Sequence, residues 1–306
     1  MPHSDLAVIV VNYRSSGLLE VNLGAVAGAE PDATVVVVDN FSDAGERSRV
    51  SELCSRRGWV SVLNDGNLGF GGGMNVGVDT AKALGHTTFL LLNPDAVIDS
   101  VSLRALVERI DEDDLVLASP IVTRPDGSSW FAGSDLYLDD GRVRSARRRH
   151  EVPGARTMPW LSGACLVISL RLWELIGGFD DRYFLYWEDI DLSRRVLAHG
   201  GTVEVVETAT AIHAEGGTQG ADGHQHSGQP KSAVYYYYNI RNRWLFAALH
   251  LPHNQQRAWA RHSLPIAWEI LLQGGRRQLL RSPRPAWAAI RGTLDGYVLA
   301  RSLRRA

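Results

Sequence analysis

Three short runs of the chain stay apolar at successive positions, and they limit the fold more than any other feature. LAVIVVN (Leu6–Asn12), ATVVVVD (Ala33–Asp39) and TTFLLL (Thr87–Leu92) show no polar alternation. As strands they must be covered on both faces, which is the condition of a parallel sheet. Each then gives way to polar residues: Asn12 with Tyr13, Asp39 with Asn40, and Asn93 with Asp95. WVSVL (Trp59–Leu63) and LVLASP (Leu115–Pro120) predict two further strands. Between them, Ser15 or Ser16 is expected to cap a helix carrying Leu18, Leu19 and Leu23, and Ser100 to cap another. A third helix is expected to open in the glycine-rich segment and run to about Leu84. Strands alternating with helices predict βαβ units in a doubly wound α/β sheet.

The middle of the chain reads differently. RPDGSSW marks a turn, and RVRSARRRHEVPGAR (Arg142–Arg156) reads as an exposed basic loop. WLSGACLVIS, a short helix ending in GGFD, and FLYWEDIDLSRRV follow. TVEVVE (Thr202–Glu207) predicts a strand, and HAEGGTQGADGHQHSGQP (His213–Pro230) a glycine-rich lid in which His224 and His226 are solvated. From Tyr235 onward helix dominates, with breaks expected at Pro252, Pro265, Pro283 and Pro285.

With 306 residues, 45% of them hydrophobic and 22% charged, the chain can bury a large core. No apolar run approaches the ~18 residues of a membrane-spanning helix, and no cleavable signal precedes the first strand. Cys54 and Cys165 lie in unrelated contexts, which excludes a disulfide framework and a zinc site and fits a reducing cytosol. The net charge of −2 conceals an asymmetry, because from Arg241 onward twelve arginines face only Glu269 and Asp295. Such a tail is suited to an anionic partner, either lipid headgroups or nucleic acid.

Ligands of open α/β sheets collect beyond the carboxyl ends of the strands, where the polar residues above are placed. Asp39 there can accept a hydrogen bond from a pyrimidine N–H, or serve as a turn or helix cap. Pro94 stops the strand, so Asp95 is presented at its end, where a carboxylate can bind Mg²⁺ or Mn²⁺. NLGFGGGMNVGV (Asn67–Val78) allows backbone amides close to phosphate, but it matches neither a dinucleotide fingerprint nor a P-loop. In YWEDIDL (Tyr186–Leu192) the acids Glu188, Asp189 and Asp191 sit beside two large aromatics. Acids favour a helix N-terminus, and Asp191 can pair with Arg195 one turn on. An acid in an aromatic-walled site is equally suited to removing a hydroxyl proton.

Six stretches in order resemble glycosyltransferase family 2, enzymes of the GT-A fold, and in particular rhamnosyltransferases and galactofuranosyltransferases. They are VIVVNYRS, VVVVDNFSDA, NLGFGGGMNVGV, LLLNPDA, WLSGACLVISLRLWELIGGFDDRYFLYWEDIDLSRRV and AIHAEGG, covering roughly residues 6–215. The resemblance implies a catalytic domain over 1–232, with a nucleotide-sugar half at about 1–120 and an acceptor half at about 121–232. Residues 233–306 then form an arginine-rich helical C-terminal region. It implies that Asn12, Tyr13, Asp39, Asn67, Gly69, Asn93 and Asp95 contact the donor, and that Asp95 with His213 holds Mg²⁺ or Mn²⁺. Asp189 is implied as the catalytic base with Glu188 positioning the acceptor, and Trp160, Ser162, Gly163 and Trp187 as the acceptor wall. The donor is expected to be dTDP-L-rhamnose, or alternatively UDP-galactofuranose or another UDP-hexose, and the acceptor a glycan or polyprenyl-linked sugar. Two departures stand out: Asn93 replaces the first Asp of the Asp-x-Asp metal motif, and Met74 stands where many members carry Arg.

Tyr235–Tyr238, then Trp259, Trp268 and Trp287 among arginines, predict either an interfacial surface for an anionic membrane or packing on the catalytic domain or a second subunit. Two other classes compete. A nucleotidyltransferase would need a glycine- and basic-rich loop after the first strand, where NYRSSG offers only Arg14. A nucleic-acid-binding protein would bind through the arginine-rich tail with a steep salt dependence and move no sugar.

Overall fold

The computed structural model describes residues 5–214 and 231–304. The chain divides into two compact units, one of residues 5–134, 159–184 and 188–214, the other of residues 135–158, 185–187 and 231–304. The lid expected over 213–230, with His224 and His226, lies outside the described residues apart from its first two positions.

The first unit is a nine-stranded sheet between helices. In chain order come β1 (Leu6–Asn12), α1 (Ser16–Leu18), a π-helical turn (Leu19–Leu23), α2 (Gly24–Ala29), β2 (Thr34–Asp39), α3 (Ala44–Arg57), β3 (Val60–Leu63) and α4 (Gly69–Ala83). β4 (Thr88–Leu92), β5 (Ala96–Ile98), α5 (Ser100–Glu112), β6 (Val116–Thr123) and β7 (Ser129–Phe131) follow. The strand order is β3-β2-β1-β4, then β11 (Cys165–Ser169), β6, β12 (Thr202–His213) and β5, with β7 beside β6. β1 to β4 run parallel, β11 runs against both neighbours, and β12 is again parallel to β6. The unbroken apolar runs are explained by two covered faces. Leu6, Val8 and Val10 pack with Val50, Leu53, Leu103 and Leu106 of α3 and α5. Ala7, Ile9 and Val11 pack with Met74 and Val78 of α4, and with Leu172 and Leu192 from α6 (Leu170–Ile176) and α7 (Glu188–Ala198). Met74 is thus a core residue, where a guanidinium would be stranded from water.

The strand switch after β4 matters most for function. β4 lies in the middle of the sheet, yet β5, three residues later, is the edge strand beside β12. The Asn93–Asp95 turn therefore carries the chain across the strand ends, and Ala96 pairs with His213 in the new register.

Several local expectations are corrected. Asp99, not Ser100, is the cap of α5, its Oδ1 accepting from Ser102 N at 2.8 Å. Ser15 precedes α1 without capping it, because its hydroxyl donates to Asn12 Oδ1. The basic stretch from Arg142 is not simply a loop: it contains β9 (Val143–Ser145) and a 3-10 turn (Ala146–Glu151), and Arg149 pairs with Asp135.

The second unit carries a small sheet of β8 (Ser134–Tyr137), β9 and the start of β10 (Thr157–Trp160). Its helices are α8 (Ala233–His250), α9 (His253–Arg261), α10 (Ser263–Leu272), α11 (Arg277–Arg281) and α12 (Arg284–Leu303). Pro252 and Pro283 precede helices, but Pro265 and Pro285 interrupt none. They occupy first turns, where the missing N–H has no helical partner to lose. Of the two readings open for the tail's tryptophans, Trp259 follows packing and not the interfacial one. It is buried, its Nε1 donates to Leu138 O, and Arg243 lies 4.8 Å above its ring. Tyr236 is buried as well, donating to Gln278.

Candidate active site

The strand switch brings Asp95 and His213 together. Asp95 Oδ1 lies 3.0 Å from His213 Nε2, and both side chains are buried. Asn93 Nδ2 is 3.4 Å from the same ring nitrogen, and the Trp130 ring packs 4.4 Å from the imidazole. His213 Nδ1 is buried and has no hydrogen-bond partner among the described residues. Among those residues no group of three or more His, Cys, Asp or Glu converges on one point. A carboxylate and an imidazole suit Mg²⁺ or Mn²⁺, whose shell is otherwise filled by phosphate and water.

A second pair of acids opens α7. Asp189 is half-buried, with Oδ1 accepting from Ile190 N at 2.8 Å and Oδ2 from Gly163 N at 3.2 Å. Burial raises its carboxyl to about 6, while the backbone donors at Gly163 and Ile190 hold it down. Glu188 is buried, its Oε2 has no hydrogen-bond partner among the described residues, and burial with the adjacent Asp189 charge pushes it well above the usual range. Burial thus raises both carboxyls, and the two backbone donors that favour the charged form act on Asp189. Asp191 is held by Arg195 at 2.7 Å in the expected i,i+4 pair.

The residues Ser162–Ala164 join these two centres. Asn93 N donates to Ala164 O, and Gly163 N donates to Asp189 Oδ2. The Asn93–Asp95 turn and the acid that opens α7 are thus tied to one three-residue link ahead of β11. Ser162 is buried, and Trp160 packs 5.6 Å from Phe131 with its indole N–H unpaired among the described residues.

At the ends of β1 and β2, Asn12 and Asp39 are buried partners, with Asn12 Nδ2 donating to Asp39 Oδ1 at 3.0 Å. Asp39 Oδ2 accepts from Arg47 Nε at 3.2 Å, and Arg47 lies 4.5 Å over the exposed Phe41 ring. Asn40 Nδ2 donates to Gly69 O, and Asn67 Oδ1 accepts from Gly69 N. Tyr13 is exposed after β1, beside Arg14. Arg47 and Phe41 were not singled out from the sequence, and Asn40 only as the residue beside Asp39 at the end of its strand. Arg47 lies in the first turn of α3, where an arginine reads as surface.

Gly69 has φ +79°, and a Cβ there would stand 2.1 Å from Phe184 O, the acceptor of Phe70 N. Gly69→Ala is expected to destabilise the fold by about 3 kcal/mol through left-handed strain and backbone overlap. A urea midpoint within error of the parent would rule this out.

Phe184, Tyr186 and Trp187 also adopt positive φ, of 61°, 64° and 74°. Bulky aromatics are rarely found there. Within the second unit, Asn242 Nδ2 donates to Leu185 O at 2.9 Å and Tyr186 O at 2.8 Å. Trp187, expected at the acceptor wall, is buried against Phe246 and Trp259.

A family model described as glycosyltransferase like family 2 matches residues 2–247. A low-salt glycan biosynthesis hexosyltransferase of Haloferax volcanii is 26% identical over 247 residues, spanning 79% of this chain and 75% of the relative. An N-acetylglucosaminyl-diphospho-decaprenol L-rhamnosyltransferase of Mycobacterium tuberculosis is 26% identical over 256 residues, spanning 75% and 82%. The crystal structure of GalNAc-T7 with UDP, GalNAc and Mn²⁺ superposes at TM-score 0.57 and 15% identity over 84% of this chain. The chain spans about half, 54%, of that structure's length.

Proposed function

The chain belongs to glycosyltransferase-like family 2 and has a GT-A-like fold, and from that premise we propose that it moves a hexosyl group from a nucleoside diphosphate sugar to an acceptor hydroxyl with inversion. The observation that carries the reading is geometric: the Glu188–Asp189 pair that opens α7 is tied through Gly163 and Ala164 to the turn that carries Asp95 beside His213. Asp189 takes the proton from the acceptor hydroxyl. The acceptor oxygen bonds to the anomeric carbon as the bond to the diphosphate oxygen breaks, and the electron pair leaves with the diphosphate. Protonated Glu188 donates a hydrogen bond that orients the acceptor, with Trp160 and Ser162 beside it. Asp95 and His213 would hold Mg²⁺ or Mn²⁺, which when bound supplies positive charge against the departing diphosphate. Asp39, with Arg47 and Phe41 around it, receives the pyrimidine.

A UDP-hexose is the first reading of the donor. The hexosyltransferase relative and the UDP-bound GalNAc-T7 structure support it. dTDP-L-rhamnose is the second, favoured by the mycobacterial rhamnosyltransferase relative. The acceptor is a glycan or a polyprenyl-linked sugar. Donor hydrolysis and transfer are to be measured on UDP-glucose, UDP-galactofuranose and dTDP-L-rhamnose, with and without EDTA. Turnover on one donor, lost with EDTA and restored by excess Mn²⁺ or Mg²⁺, is expected. Exclusive use of dTDP-L-rhamnose selects the second reading, and inertness toward every nucleotide sugar overturns both.

A further inference from the structure

The last helix is built inside out. The buried positions of α12 are Pro285, Ala289, Gly292, Gly296 and Ala300, spaced three and four residues apart along one stripe. They are small because α12 lies close against α8. A Cβ on Gly292 would stand 2.6 Å from Tyr237 O, and one on Gly296 2.7 Å from Trp244 Cδ1. The bulky apolar residues occupy the opposite side. Trp287, Leu294 and Val298 are 67%, 60% and 64% exposed, and Ile290 and Tyr297 are exposed with them. A helix of a soluble protein normally presents the reverse pattern.

Arginines frame this face. Arg284, Arg291 and Arg301 are exposed on the same helix, and Arg304 is exposed at its C-cap. Arg291 pairs with Asp295 and Arg301 reaches Tyr297 Oη, whereas no carboxylate among the described residues lies within ion-pair distance of Arg284 or Arg304. The two acids of the tail are both engaged, Glu269 by Arg142 and Asp295 by Arg291. Among the described residues no helix is long and apolar enough to cross a bilayer.

We propose that the outer face of α12 docks on an anionic lipid surface, the helix lying in the plane of the headgroups. Trp287, Leu294 and Val298 enter the acyl boundary, while Arg284 and Arg304 meet lipid phosphates. A second copy of the chain fits this face less well. A two-fold contact would set the same arginine-framed patch against itself. The proposal is independent of which sugar is moved.

The test is flotation of the full chain with phosphatidylcholine vesicles, with and without phosphatidylglycerol, at low and high salt. Flotation is expected only with phosphatidylglycerol and is expected to weaken as salt rises. The double substitution Trp287→Ser with Leu294→Ser is expected to abolish it. Arg284→Glu with Arg304→Glu is expected to weaken it by roughly tenfold or more. Donor hydrolysis without vesicles should be unchanged in all variants, which separates a failure of docking from a failure of the transferase reading. Absence of flotation in the parent, or undiminished flotation of the apolar double variant, overturns the proposal. So does sedimentation showing a parent dimer that this variant converts to monomer.

Discussion

Asp189→Asn is expected to lower turnover by about 10²–10⁴-fold while leaving nucleotide-sugar binding in place. The amide keeps the size of the carboxylate and one acceptor for Gly163 N or Ile190 N, but it cannot take a proton from the acceptor. The pH profile gives a second, independent readout. With the carboxyl raised to about 6, kcat/KM of the parent should climb through that pH on its acid limb. The limb should be missing from the residual activity of the variant. Stability moves the other way. A folded-state value above the unfolded one favours the protonated form, so its contribution is full below the unfolded value and is lost as pH rises through about 6. The urea midpoint of the parent should therefore rise relative to that of Asp189→Asn as pH falls from neutrality. Near-parental turnover in the variant would exclude Asp189 as the base.

Asp95→Ala is expected to reduce transfer by roughly 10³-fold, taking about 4 kcal/mol for the charge held against the diphosphate. His213→Ala should fall to a similar level, and the double variant should fall little further, because groups acting as one unit are not additive. Calorimetry of Mn²⁺ with the full chain and a nucleoside diphosphate checks the same assignment without turnover, and both single variants should lose the binding heat. Parental Mn²⁺ binding in either one would remove that residue from the metal pair.

The sheet was largely legible because β1, β2 and β4 are apolar at nearly every position, a pattern that few other architectures can bury. Less visible was the switch from β4 to β5. AVI is only three residues long, and nothing local says that it pairs at the far edge beside β12. Asp95 and His213 could be linked only through resemblance, since their meeting depends on that crossing. Caps were misplaced by one position, Ser100 for Asp99, because both residue types cap helices and they are adjacent. The tail misled in a more informative way. Trp259 among arginines reads as interfacial, yet Arg243 is buried with it, supported by Ser263 and the carbonyls of Asp140 and Trp259. A count of charges does not say which of them are already engaged. The same ambiguity hid Arg47, whose partner Asp39 lies eight residues earlier, at the end of β2.

The side-chain amide of Asn242 ties the C-terminal helices to a turn earlier in the chain. It grips two carbonyls of a turn whose aromatic residues sit in a backbone basin they would otherwise leave, and the next residue after that turn is Glu188. A chain cut back to the apparent boundary at 232 would keep Asp39, Asp95, Glu188 and Asp189, yet it would lose the latch that keeps this spring wound.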